Sequence, residues 1–187
     1  MRQIRRSLEP PTDYIRGLGG NDTITALLGD DVIDAGDGDD IVHGNAGNDD
    51  IMGEAGNVQI FGEDGDDAVN AGLGADFVDG GEGNDSIFEA DLFSVPLVDS
   101  AADTFTELAN EGTDTIRSSI TIAALAANVE NVTLDGSVDI NVTGNSLNNV
   151  LTGDYGNNVL NGGAGNDVLN GFFGTASYST QLDKALI

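Results

Sequence analysis

The 187-residue chain sets 33 Asp and Glu against six Lys and Arg, for a formal charge of -27, and holds 27 Gly, no Cys and no Trp. A compact fold at that charge repels itself unless cations neutralise it, which makes nucleic acid and anionic membranes poor partners and divalent metal ions good ones. Without Cys there is neither a disulfide framework nor a thiolate metal site, and no apolar run reaches membrane-spanning length.

Residues 1–16 gather Arg2, Arg5, Arg6 and Arg16 around Pro10-Pro11; only Arg117 and Lys184 follow. The start has the charge of a signal peptide but no apolar stretch after it, so this segment reads as a disordered leader. The acidic charge of residues 17–116 has no internal counter-ion. An acidic, Gly-rich stretch is ordinarily disordered, but periodicity argues otherwise.

From Gly17 the chain falls into nines: GLGGNDTIT, ALLGDDVID, AGDGDDIVH, GNAGNDDIM, GEAGNVQIF, GEDGDDAVN, AGLGADFVD, GGEGNDSIF. Eight units fill residues 17–88 without a gap. Position 4 is always Gly (Gly20, Gly29, Gly38, Gly47, Gly56, Gly65, Gly74, Gly83). Position 8 is always Ile or Val, and position 1 always Gly or Ala. Position 6 is Asp22, Asp31, Asp40, Asp49, Asp67, Asp76 and Asp85, with Val58 the exception. Gly supplies the positive φ of a tight turn. Three residues around position 8 make a short strand with the β-branched side chain inward. Two units close one coil, and stacked coils pair strands in parallel about 4.8 Å apart.

Such a core is thin, and a single coil cannot offset its ordering entropy. Position-6 carboxylates return to the same edge every second repeat, so two of them flank each gap between coils. Hard oxygen ligands with loop carbonyls suit Ca²⁺ rather than zinc or copper. One edge carries Asp31, Asp49, Asp67 and Asp85, with three complete gaps. The other carries Asp22, Asp40, Val58 and Asp76, where only Asp22/Asp40 is complete. The expectation is four well-formed Ca²⁺ sites and two weak or empty ones beside Val58, leaving Asp76 a weak ligand. The loop backbone at Gly20, Gly29, Gly38, Gly47, Gly65 and Gly83 completes the shells. Position 5 is Asp or Asn in seven repeats and reads as a solvated turn residue or a supplementary ligand.

These residues match G-G-x-G-x-D-x-U-x, and the chain resembles the RTX (repeats-in-toxin) family of calcium-binding nonapeptide repeats. The resemblance implies an all-β, right-handed parallel β-roll with Ca²⁺ between its turns, unfolded without calcium. It further implies secretion through a type I apparatus and an extracellular or cell-surface location.

Residues 89–115 break the nines and show no motif; residues 89–143 read as an irregular stretch followed by a β-solenoid spacer. Thr115–Val142 alternates β-branched and polar residues, with Asp135-Gly136 as a turn and Ala123–Ala127 as strand or one helical turn. The nines resume over 144–174 as GNSLNNVLT, GDYGNNVLN and GGAGNDVLN. Leu151, Leu160 and Leu169 keep the inward column. Position 6 becomes Asn149, Asn158 and Asp167, so this block stacks through Asn ladders with Asp167 at most a marginal ligand. Residues 175–187 form a tail, whose final Asp183-Lys184-Ala185-Leu186-Ile187 departs from an acidic-then-apolar secretion signal at Lys184.

No catalytic constellation is present: there is no H-E-x-x-H, G-x-S-x-G or P-loop, and the single histidine, His43, takes an outward ninth position. Carboxylates spaced by nine form ladders on a turn edge rather than facing each other across a cleft. The sequence thus describes a non-catalytic calcium-binding module. The alternatives are an adhesin or matrix spacer, and the repeat region of a larger secreted hydrolase or toxin. The outward Thr25, His43, Phe61 and Asp79 show no flat ladder that would favour the adhesin.

Overall fold

The computed structural model describes residues 3–5, 12–88, 104–109, 111–172 and 177–181. Among these there is no helix; every strand pairing is parallel. The first wall runs β1 (Gln3–Arg5), β3 (Thr23–Leu28), β5 (Ile41–Ala46), β7 (Gln59–Asp64), β9 (Phe77–Glu82), β11 (Thr104–Thr106). The second runs along both repeat blocks: β2 (Tyr14–Arg16), β4 (Val32–Asp34), β6 (Asp50–Met52), β8 (Ala68–Asn70), β10 (Ser86–Phe88), β12 (Thr115–Ser118), β13 (Asn131–Leu134), β15 (Val150–Thr152), β17 (Val168–Asn170). A three-stranded sheet of β14 (Val142–Thr143), β16 (Val159–Ala164) and β18 (Ser177–Gln181) faces the C-terminal coils. The architecture is the parallel β-solenoid that the nine-residue register implies.

Position 8 is the core. Ile24, Val42, Ile60 and Val78 are aligned across the first wall, and Ile15, Ile33, Ile51, Val69, Ile87, Ile116, Val132 and Leu151 across the second. All are almost completely buried. Each such side chain contributes about 1.5–3 kcal/mol by leaving water.

The two walls differ in a way the nines do not show. Strands β4, β6, β8 and β10 have the expected three residues, whereas β3, β5, β7 and β9 have six and run into the next repeat. Between β3 and β5 five residues pair, against three between β4 and β6. Position 2 is a second left-handed site in every repeat, held at φ 80 by Leu18, 90 by Leu27, 75 by Asn45, 70 by Glu54 and 76 by Glu63. Side chains there cost about 1 kcal/mol or more each relative to glycine.

At position 4 glycine answers two demands. Its φ is positive throughout, and a Cβ on Gly47, Gly56 or Gly65 would lie 2.1 Å from the carbonyl oxygen of Gly29, Gly38 or Gly47 in the coil below. The backbone stack leaves no room for a methyl group.

Three expectations change. Tyr14–Arg16, placed in a disordered leader, is a strand in register with Val32–Asp34, and Ile15 is core; Gln3–Arg5 pairs with β3. Both walls continue past the first repeat block, Thr104–Thr106 on β9 and Thr115–Arg117 on β10. Ala109–Arg117 is therefore another nonapeptide, with Gly112 stacked on Gly83 and Asp114 in the place of a position-6 Asp. Lastly, Ala123–Ala127 forms neither the strand nor the helical turn: it is irregular, with Leu125 buried and donating its N–H to the Thr143 carbonyl at 2.8 Å. The tail beyond Gln181 lies outside the described residues.

Candidate metal centre

The register brings position 6 into two columns, one on each turn edge. Along one edge each carboxylate accepts the backbone N–H of the residue one coil earlier. Asp31 accepts from Asp13 at 2.6 Å, Asp49 from Asp31, Asp67 from Asp49 and Asp85 from Asp67 at 2.8 Å, and Asp114 from Asp85 at 2.9 Å. Glu130 accepts from Asp114 at 3.0 Å. On the other edge Asp40 accepts from Asp22 at 2.7 Å and Asp76 from Val58 at 2.9 Å; Val58 has no side-chain oxygen with which to accept in turn. Asp22, Asp31, Asp40, Asp49, Asp67, Asp76 and Asp85 are all buried.

One carboxylate oxygen per residue is used in this ladder. The other, Oδ2, is buried without a hydrogen-bond partner in Asp31, Asp40, Asp49, Asp67 and Asp85. In Asp49, Asp67 and Asp85 it turns back over the glycine at position 1 of its own repeat. A Cβ on Gly44 would lie 2.4 Å from Asp49 Oδ2 and 2.7 Å from the Gly62 carbonyl oxygen. Over Gly62 the same space holds Asp67 Oδ2 at 2.3 Å and the Gly80 carbonyl at 2.4 Å. A carboxylate oxygen and a carbonyl from the next coil thus converge on one point beside Gly44 and beside Gly62. Over Gly53 that place is taken by Val58 Cγ2, 3.4 Å away.

Burying a carboxylate oxygen without a donor costs several kcal/mol, and no basic side chain supplies one. Arg16 pairs with Asp34 at 2.8 Å, Arg117 with Asp135 at 2.5 Å and His43 with Glu63 at 2.9 Å, and none of these three reaches Asp31, Asp40, Asp49, Asp67 or Asp85. Burial accordingly raises the carboxyls above the usual range: Asp67 to about 7, Asp49 and Asp85 to about 6, and Asp31, Asp40 and Asp114 upward. Neighbouring acids add to the effect and the ladder hydrogen bond opposes it. Clustered anionic and carbonyl oxygens lacking a donor fit a hard divalent cation such as Ca²⁺.

Position 5 lies in the turns on the solvent-facing rim, where its side chain also links successive coils. Asn21 Oδ1 accepts the N–H of Asp39, Asp30 that of Asn48, Asp39 that of Asn57, and Asp66 that of Asn84, at 2.8–3.1 Å on the exposed rim. These bonds stack coils from outside, in the direction opposite to the position-6 ladder. The bond from Asn84 holds the Asp66 carboxyl below its ordinary value.

In the second block Asn149 and Asn158 are buried and satisfied. Asn149 Nδ2 donates to the Val129 and Glu130 carbonyls at 3.2 and 3.1 Å, and its Oδ1 accepts the Asn145 N–H at 2.9 Å. Asn158 Nδ2 donates to the Ile140 carbonyl at 2.8 Å. The amide group thus caps carbonyls with its own N–H donors. Asp167 is only half-buried; it accepts from Asn149 at 3.0 Å and leaves Oδ2 unpartnered.

Among the predicted loop glycines, the carbonyls of Gly20, Gly29, Gly38, Gly47 and Gly65 stack on the glycine one coil on, the last on Gly83. The carbonyls of Gly62 and Gly80 beside Oδ2 had no signal in the motif reading. Asp13 and Asp114 did: each lies two residues before a core Ile. His43 stacks face to face on Phe61, ring centres 4.9 Å apart, and Phe61 meets Phe77 at 5.6 Å. The outer face therefore bears a short ring stack that position 9 alone did not reveal.

A family model described as the RTX calcium-binding nonapeptide repeat (4 copies) matches residues 12–42, 43–78, 61–88 and 143–174. No curated protein matches the chain.

Proposed function

The chain belongs to the RTX calcium-binding nonapeptide repeat family and is a calcium-binding repeat module; from that premise we propose that Ca²⁺ is its folding switch, that it acts after export, and that it performs no catalysis. The observation that carries this reading is the column of buried Oδ2 atoms without donors at Asp31, Asp49, Asp67 and Asp85. In the absence of cations these carboxylates oppose stacking of the coils; with Ca²⁺ between them they hold the coils together. Four gaps fill well: Asp31/Asp49, Asp49/Asp67, Asp67/Asp85 and Asp22/Asp40. The two gaps flanking Val58 bind weakly or stay empty. A chain that folds only in millimolar calcium remains extended in the cytoplasm, suits a type I channel, and folds outside.

Calcium titration of the chelator-treated chain, followed by far-ultraviolet circular dichroism with Mg²⁺ as control, tests the switch. The expected result is a cooperative coil-to-β transition specific to calcium, with a midpoint on the order of 10⁻⁴–10⁻³ M as for extracellular modules. A chain already rich in β-structure in chelator overturns it and favours a constitutive spacer.

A further inference from the structure

The regular gap between position-6 residues spans 18 residues, but Asp114 follows Asp85 by 29. The extra chain brings in a residue that belongs to no repeat. Glu107 is only 6% exposed, its Oε1 accepts the Gly80 N–H at 3.1 Å, and its backbone carbonyl accepts from Asn128 Nδ2 at 2.8 Å. Over Gly44 and Gly62 the partner of the Asp carboxylate is a carbonyl. Over Gly80 it is this carboxylate: a Cβ there would lie 2.4 Å from Glu107 Oε1 and 2.5 Å from Asp85 Oδ2.

Asp85, Glu107 and Asp114 each direct a carboxylate oxygen to one spot, all within 4.8 Å of one another and all three buried. Two oxygens of these residues point to a ligand independently of the clustering. Glu107 Oε2 and Asp85 Oδ2 are buried with no hydrogen-bond partner, and the residues are 6% and 2% exposed. Oxygens on opposite sides of a Ca²⁺ ion lie roughly 4.6–5.2 Å apart, so one ion can span the group.

We infer that Asp85, Glu107 and Asp114 form a separate Ca²⁺ site at the end of the first repeat block, tighter than the nonapeptide gaps, which clasps that block to the coils that follow. It rests on the calcium reading above; Asp114 holds the place of a position-6 Asp, but Glu107 belongs to no repeat and both lie outside the matched segments. Three carboxylates in place of two raise the affinity, because ligand charge sets the strength of such sites. The clasp joins strands β10 and β12 across the inserted chain.

The test is equilibrium binding of ⁴⁵Ca²⁺ to the full chain and to Glu107→Gln, which can keep the Gly80 bond through its amide oxygen. Asp40→Asn serves as a comparison that removes a ligand elsewhere. The wild-type chain is expected to show one ion bound about tenfold or more tightly than the rest. Glu107→Gln should lose that component with an unchanged circular dichroism spectrum at saturating calcium, whereas Asp40→Asn should keep it. A tight component that survives in Glu107→Gln, with the remaining ions still bound, overturns this inference alone. A wild-type chain that binds no calcium overturns this inference and the folding switch together.

Discussion

The backbone N–H of Asp49 donates to Oδ1 of Asp67 one coil on, while Asp49 itself receives the N–H of Asp31 and leaves its own Oδ2 buried beside the Gly62 carbonyl. One side chain therefore serves two gaps, joining coils through one oxygen and facing the proposed ion through the other. Asp49→Ala should raise the calcium midpoint of folding about tenfold or more, and Asp76→Ala, whose neighbour in the column is Val58, only about two- to threefold. Titrations of the two variants under identical salt decide the matter; equal shifts would refute the column assignment.

Val58 offers the converse. Val58→Asp supplies the missing carboxylate between Asp40 and Asp76, so the number of ions bound should rise by one or two by calorimetry. In chelator the same variant should be less stable than the wild type, since it adds a buried charge. A variant that binds no more calcium than the parent would show that these gaps are closed for another reason.

Glycine at position 4 can be separated into its two causes. Gly65→Ala combines φ 140 with a Cβ 2.1 Å from the Gly47 carbonyl, while Gly20→Ala has φ 96 and no atom within 4 Å. Thermal melts in saturating calcium should show Gly20→Ala destabilised by about 1–2 kcal/mol and Gly65→Ala by clearly more, to the point of losing a coil.

Proton linkage has a definite sign here. Asp67 at about 7 and Asp49 and Asp85 at about 6 lie above the unfolded value of about 3.9, so the calcium-free roll holds protons that the unfolded chain releases. Its stability is greatest below pH about 4 and falls as pH rises from there toward 7. The calcium-free chain should therefore gain β-structure on acidification from pH 7.5 to about 4.5. Calcium affinity should weaken over the same range, because binding displaces the protons. Circular dichroism and calorimetry at three pH values test both; β-content independent of pH would contradict the burial of uncompensated carboxylates.

The second block should behave differently. Asn149→Asp removes the two donors to the Val129 and Glu130 carbonyls and sets a carboxylate against them. In chelator it should destabilise residues 150–170 by about 2 kcal/mol or more, read as faster amide exchange there.

The roll and its columns were legible because each constraint repeats at fixed spacing: a left-handed glycine, a buried Asp and an inward Ile or Val every nine residues. Where the period slipped, legibility failed. Ala109–Arg117 satisfies the same pattern, but the longer chain before it hides Asp114 from a search in continuous nines. Asp13 and Ile15 follow prolines rather than glycines, and the coil they begin looks like a leader. Glu107 carried no signal at all, because its place opposite Gly80 depends on how inserted chain returns to the stack. Nor could the six-residue strands be read, since Leu27 and Glu63 take a backbone conformation that sequence alone assigns to glycine.

Those unequal strands make the molecule lopsided under load. From β3 to β9 five residues pair per coil on one wall, against three from β4 to β10 on the other, so tension along the axis there loads the sparser wall more heavily per bond.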